Sequence, residues 1–183
     1  NEFSSANIER AMEDLDEPLT DGLVRTSEKI YDALLLGKSY LETVGEGKML
    51  SFNLKYIDWD NPQNNVFHVT EEFAVESQDK QHNARPDIVL FINGVPFAVI
   101  ECKAPQVSVD QAVEQMIRNQ QADYIPQLFK YAQFVFATNK NAVKYEGCDG
   151  YYAFMNEERK APQSFGGLIN SLDLTNNIKL NSF

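Results

Sequence analysis

What this sequence lacks narrows its identity before any motif is read. No apolar run approaches the roughly 18 residues that a membrane-spanning helix needs. The amino terminus, NEFSSANIERAMEDLDEP, lacks the basic-then-apolar layout of a signal peptide. A soluble, cytoplasmic protein with no membrane partner is therefore expected. Positive charge is scarce: 16 Lys and Arg against 27 Asp and Glu leave a formal charge of −11. Such a chain does not coat nucleic acid by itself, so a polyanion would be held locally or by other subunits. Cysteine is almost absent. Cys102 in an apolar strand and Cys148 in a Gly-flanked turn give neither a disulfide framework nor a zinc pattern. The two histidines, His68 in an alternating strand and His82 in a polar loop, show no ligand spacing. There is no G-x-x-x-x-G-K-[ST] loop, so ATP binding is not expected in this chain.

What is present suits an ordinary globular domain. The 183 residues are 43% hydrophobic and 11% aromatic, enough to bury a core in one domain, and the abrupt start reads as a piece of something longer. Residues 5 to 16 place Ile8, Met12 and Leu15 on one helical face, capped by Ser4 or Ser5 and ended by Pro18. A second helix is expected from about Thr26 to Leu36, with Gly37 as its stop. The period then changes to two: Leu50, Phe52, Leu54 and Tyr56 alternate with polar residues, DNPQNN makes a turn, and FHVTEEFAVES resumes the alternation. Strands follow at Asp87 to Ile92 and Pro96 to Cys102, joined at Asn93-Gly94. After Pro105 a helix carries the stripe Val109, Ala112, Val113, Met116 and Ile117, and a strand follows at Gln133 to Thr138. The period is lost beyond Gly147, where residues 148–183 read as an extension or linker. The whole is a mixed α/β domain.

The most apolar segment, RPDIVLFINGVPFAVIECKAP, carries charges at both ends. Glu101 and Lys103 stand at i and i+2 on one strand and leave the same face of the sheet. An isolated E-x-K is ordinarily a weak ion pair, but Asp87 opens the preceding strand. Parity decides whether it can join them. With a strict two-residue loop at Asn93-Gly94, paired positions sum to 187, Asp87 faces Ile100, and the two carboxylates point to opposite sides. A three-residue connection or a one-residue bulge, for which Pro96 would be the mark, makes the sum even and brings Asp87 onto the face of Glu101 and Lys103. Two carboxylates on one face suit a hard divalent cation, and a neighbouring lysine can orient water or stabilise charge on a phosphate.

RPD, an apolar strand, an N-G turn and ECK together resemble the active-site motif of the PD-(D/E)XK nucleases. With IDWDNPQNNVFHVTEEFAV before them and IPQLFKYAQFVFATN after, the chain from about Glu28 to Tyr145 resembles the amino-terminal region of type I restriction enzyme R subunits. The resemblance implies a restriction-endonuclease-like mixed β-sheet with an αβββαβ core flanked by helices, spanning residues 1–147 with amino-terminal helices over about 1–40. It implies Asp87 and Glu101 as metal ligands with the Cys102 backbone carbonyl, Lys103 as a catalytic lysine, and Mg²⁺ or Mn²⁺ as cofactor. Gln115 fits the glutamine of the family's Q-x-x-x-Y helix motif, but the fifth position is Asn119, and Arg118 or another neighbour would fill the tyrosine's place. Glu28 would be an additional acidic group from an early helix. Double-stranded DNA is the implied substrate. The implied partners are motor domains of the same polypeptide, which use ATP, and modification and specificity subunits, which use S-adenosylmethionine. The alternatives are another nuclease of this fold, type III-like or repair, and a catalytically idle interaction module. The Cys102 side chain, pointing away from Glu101 and Lys103, is expected in the core.

Overall fold

The computed structural model describes residues 3–147, so the expected extension at 148–183, with Cys148, lies outside the described residues. The elements are α1 (Ser5–Leu15), α2 (Leu23–Leu36), β1 (Lys38–Val44), β2 (Lys48–Leu54), β3 (Phe67–Glu71), β4 (Val75–Glu76), β5 (Asn83–Ala84), β6 (Ile88–Ile92), β7 (Val95–Cys102), α3 (Val109–Asn119), α4 (Pro126–Phe129), β8 (Phe134–Thr138) and β9 (Val143–Gly147). A five-stranded mixed sheet in the order β3-β6-β7-β8-β9 forms the centre, with β7 and β8 parallel and the other neighbours antiparallel. Two small antiparallel hairpins, β1-β2 and β4-β5, stand beside it. Among the described residues no helix is long and apolar enough to cross a membrane.

The parallel β7-β8 pair requires a crossover, and α3 and α4 supply it. Ser108 caps α3 through its Oγ, which accepts from the Asp110 N–H, and the stripe Val109, Ala112, Val113 and Met116 is buried. Met116 packs with Val89, Val99 and Val135 of the sheet and with Ile125, Leu128 and Phe129. A second cluster, formed by Leu15, Ile30, Leu34, Ile57, Ile92 and Phe97, joins α1 and α2 to the turn end of β6 and β7.

Three details differ from the sequence expectation. α1 buries Ala11 and Leu15 but leaves Ile8 45% and Met12 68% exposed. Its polar residues anchor it instead: Ser4 and Asn7 donate to Glu42, and Asp14 accepts from the Tyr40 hydroxyl. α2 begins three residues before the expected Thr26, directly after Gly22 at φ +83°, where a helix start needs no side-chain signal. β1 and β9 were not among the expected strands: β1, Lys-Ser-Tyr-Leu-Glu-Thr-Val, carries no clean apolar alternation, and β9, Val-Lys-Tyr-Glu-Gly, alternates over only four residues before a glycine.

The hairpin β6-β7 sets the geometry of everything that follows. Asn93 and Gly94 both take positive φ, +51° and +84°, as a two-residue type I′ turn requires. Next to the turn the register is Ile92 with Val95 and Phe91 with Pro96, positions that sum to 187. Beyond a shift between Leu90 and Phe91 the pairs are Leu90 with Ala98, Val89 with Val99 and Ile88 with Ile100, which sum to 188. One extra residue, Phe97, sits in β7 immediately after Pro96, and it changes the parity of the hairpin.

Candidate active site

In the 188 register Asp87, one step before Ile88, stands opposite Glu101 on the face that α3 covers. The Cys102 N–H donates to Asp87 Oδ2 at 2.6 Å, tying the start of β6 to the end of β7. Glu101 is 0% exposed, and its carboxyl also hydrogen-bonds that of Asp87. Two amides from α3 reach it. Gln115 Nε2 donates to Glu101 Oε2 at 2.8 Å, and Asn119 Nδ2 donates to Glu101 Oε1 at 3.5 Å. Residues four apart share a helix face, so a single helix serves both oxygens. Lys103 Nζ in turn donates to Gln115 Oε1 at 2.6 Å. An ammonium offers only donors, so the Gln115 oxygen must face Lys103 and its NH₂ must face Glu101. The result is a continuous line: Lys103, Gln115, Glu101, Asp87.

Burial sets the electrostatics. Glu101 is pushed up from 4.5 to about 8, first by loss of water, then by the Asp87 charge and the hydrogen bond to it, while Lys103 and Gln115 pull the other way. The Cys102 thiol, exposed on one side only, is raised by partial loss of water and by the same two carboxylates. Two adjacent carboxyl groups, one of them fully buried, are a site where a divalent cation can offset the charge. All the available donors are hard oxygens. Among the described residues no cluster of three or more His, Cys, Asp or Glu side chains is placed to hold a metal ion. Two carboxylates completed by backbone oxygen and water therefore fit Mg²⁺ or Mn²⁺, which keep several waters and need only one or two carboxylates.

The structure brings together Asp87, Glu101, Lys103, Gln115 and Asn119. Asn119, in the position of the motif tyrosine, is 2% exposed and turned toward Glu101, where it braces a carboxyl. Arg118 is exposed and lies against Tyr124. Glu28 is exposed on α2, whose buried residues Ile30 and Leu34 belong to the cluster at the turn end of the hairpin. Among the described residues it makes no hydrogen bond or ion pair with Asp87, Glu101, Lys103 or Gln115. The Cys102 side chain, expected in the core, is exposed, because it closes β7 at the end of the sheet where the chain leaves the layer.

Comparison with known proteins gives these residues a setting. The family described as "Type I restriction enzyme R protein N terminus" matches residues 1–149. The "Putative type I restriction enzyme MjaIXP endonuclease subunit" of Methanocaldococcus jannaschii is 32% identical over 120 residues, covering 64% of this chain and 11% of its own length. Its MjaVIIIP counterpart, named in the same way, is 31% identical over 137 residues, 73% of this chain and 12% of its own length. The "Type I restriction enzyme EcoprrI endonuclease subunit" of Escherichia coli is 26% identical over 171 residues, 92% of this chain and 49% of its own length. The chain thus spans about a tenth of the first two relatives it matches.

Proposed function

The chain belongs to the type I restriction enzyme R protein N-terminal family, and from that premise we propose that it is the DNA-cutting module of an R subunit, a metal-dependent endonuclease domain hydrolysing phosphodiester bonds. Residues 1–147 form the nuclease and residues 148–183 lead toward motor domains of the same polypeptide. Those domains hydrolyse ATP to translocate double-stranded DNA, in a complex with modification and specificity subunits that use S-adenosylmethionine. The order α2, β3, β6, β7, α3, β8, three antiparallel strands followed by a helix and a parallel strand, supports reading the core as restriction-endonuclease-like.

The observation that carries the proposal is the convergence of Asp87, Glu101 and Lys103 on one face, with Gln115 bridging the last two. Asp87 and Glu101, with the Cys102 carbonyl, would hold Mg²⁺ or Mn²⁺. The bound ion would supply charge neutralisation at a phosphate oxygen and a water acidic enough to attack. The Lys103 ammonium, held by Gln115 instead of a carboxylate, keeps its charge free for a phosphate oxygen or for orienting the attacking water. Gln115 fixes the spacing of acid and cation from a rigid helix, and Asn119 holds the second Glu101 oxygen. An idle interaction module fits less well, because two adjacent carboxyls at a buried position destabilise the fold and such a module gives them no role that offsets the cost.

The test is Asp87→Ala in the assembled enzyme. Cleavage should be lost while ATP hydrolysis and translocation persist, because the motor lies outside this chain. Continued cutting by a well-folded Asp87→Ala enzyme would remove the site.

A further inference from the structure

Among the described residues the ion-paired lysines are Lys29, Lys38, Lys55, Lys130 and Lys144, none of them bonded to Asp87 or Glu101. Of the same described residues, Arg10, Arg25, Lys48, Lys80 and Lys140 form no ion pair elsewhere in the fold, and three more unpaired cations belong to the segments that carry the carboxylates and Gln115. Among the described residues Arg85, Lys103 and Arg118 form no ion pair, although 27 acidic residues are available in the chain. Pro86 is fully buried. A residue before proline is held extended, so Arg85 and Asp87 both lie opposite the buried Pro86 side chain. On the other flank Arg118 stands one helical turn beyond Gln115. Its guanidinium carbon is 5.6 Å from the centroid of the Tyr124 ring, and the His82 ring stacks on the same tyrosine at 6.4 Å with 21° between planes. The backbone of Tyr124 is itself pinned, its carbonyl accepting from Gln78 N–H at 2.7 Å. The arginine is thus held in place by an aromatic stack instead of by a carboxylate, and its N–H groups remain available.

We propose that Arg85 and Arg118 grip the DNA backbone on either side of the Asp87–Glu101 pair, with Tyr124 and His82 as the brace that presets the Arg118 guanidinium. This rests on the nuclease reading and specifies how an acidic domain holds the strand it cuts: two planar, unpaired guanidiniums suit phosphate oxygens, and a prearranged side chain loses less entropy on binding. Lys103 is reserved for the scissile phosphate. The two arginines carry no sequence information, as expected for side chains directed at the backbone.

The experiment follows cleavage of plasmid DNA by the assembled enzyme as a function of KCl, for Arg85→Gln, Arg118→Gln, Arg118→Lys and Tyr124→Leu, with Asp87→Ala in parallel. Each Gln variant should cut several-fold more slowly near physiological salt, and its log rate against log salt should flatten by about 0.9, the value for one phosphate no longer neutralised. Arg118→Lys should retain the wild-type slope at reduced rate. Tyr124→Leu should slow cutting without changing the slope. ATP hydrolysis should be unaffected in all. Wild-type rates in both Gln variants, or slower cutting with an unchanged salt slope, would overturn the proposed grip. If Asp87→Ala still cuts, the nuclease reading itself fails; if Asp87→Ala is dead and the arginine variants behave as wild type, only the grip fails.

Discussion

Replacing Glu101 by Gln removes an ionisable group from a fully buried position while keeping its shape, and the structure fixes how that change depends on pH. The carboxyl moves from 4.5 in the unfolded chain to about 8 when folded. A carboxyl whose folded value is raised binds more protons in the native state than in the unfolded one between those two values. Its contribution is therefore fully present below about pH 4.5 and is lost as pH rises through 8. The loss is about 1 kcal/mol at pH 5, about 3 at pH 7 and approaches 5 above pH 8, from about 1.4 kcal/mol per unit. Glutamine carries no such penalty. Urea unfolding of wild type and Glu101→Gln in chelator, from pH 5 to 9, should show the variant gaining on the wild type by about 2 kcal/mol between pH 5 and 7 and about 4 by pH 9, with m unchanged. Saturating Mg²⁺ should narrow the gap at high pH, since the cation then does for the wild type what the proton did. A stability difference that is flat in pH, or that shrinks as pH rises, would refute the account of Glu101 as a buried carboxyl crowded by Asp87.

Other outcomes concern the helix behind the site and the packing of the fold. Gln115→Ala, which unties Lys103 from Glu101, should reduce cleavage by the assembled enzyme about ten-fold or more, the equivalent of one polar interaction of about 1.4 kcal/mol. Asn119→Ala should cost less, since its bond to Glu101 is long at 3.5 Å; the reverse order in single-turnover rates would exchange their roles. Asp16→Ala should destabilise the fold by about 3 kcal/mol in chemical denaturation, because it leaves the ammonium of Lys130, only 6% exposed, without its carboxylate. An unchanged midpoint would show that the Glu17 carbonyl suffices. Gly37→Ala should lower stability by more than about 1 kcal/mol: the residue sits at φ +72° and an added Cβ would fall against the Leu54 carbonyl oxygen.

The sequence announced the β6-β7 hairpin better than its surroundings. Asp87, Glu101 and Lys103 were legible because strand parity is a counting rule, and the rule demanded an irregularity near Pro96, where the register does shift. Gln115 and Asn119 were legible as neighbours on one helix face, but that Asn119 turns inward depended on which side of α3 is covered, a tertiary fact. β1 escaped because it pairs in a small hairpin without a clean apolar alternation, and β9 because its alternation at the sheet edge covers only four residues. Ile8 and Met12 misled because apolar spacing marks a helix without saying which flank it buries; α1 is held by Asn7, Asp14 and Tyr56, whose hydroxyl donates to the Ala11 carbonyl. Arg118 and His82 looked unrelated in sequence, and only the fold stacks both on Tyr124.

The Lys130 ammonium that meets Asp16 at 2.6 Å and the Glu17 carbonyl at 2.8 Å joins residues more than 110 positions apart. That distance is also a time. At about 5–20 residues per second on the ribosome, α1 emerges and then waits roughly 6 to 23 seconds for its partner lysine to be synthesised. Until β6 and β7 follow, Leu15 has none of the Ile92 and Phe97 surface it will share, and an amphipathic stretch of 11 residues is too short to be a stable helix alone. α1 is therefore made well before it is secured, and the nascent chain carries its apolar side chains bare while most of the sheet is still being made.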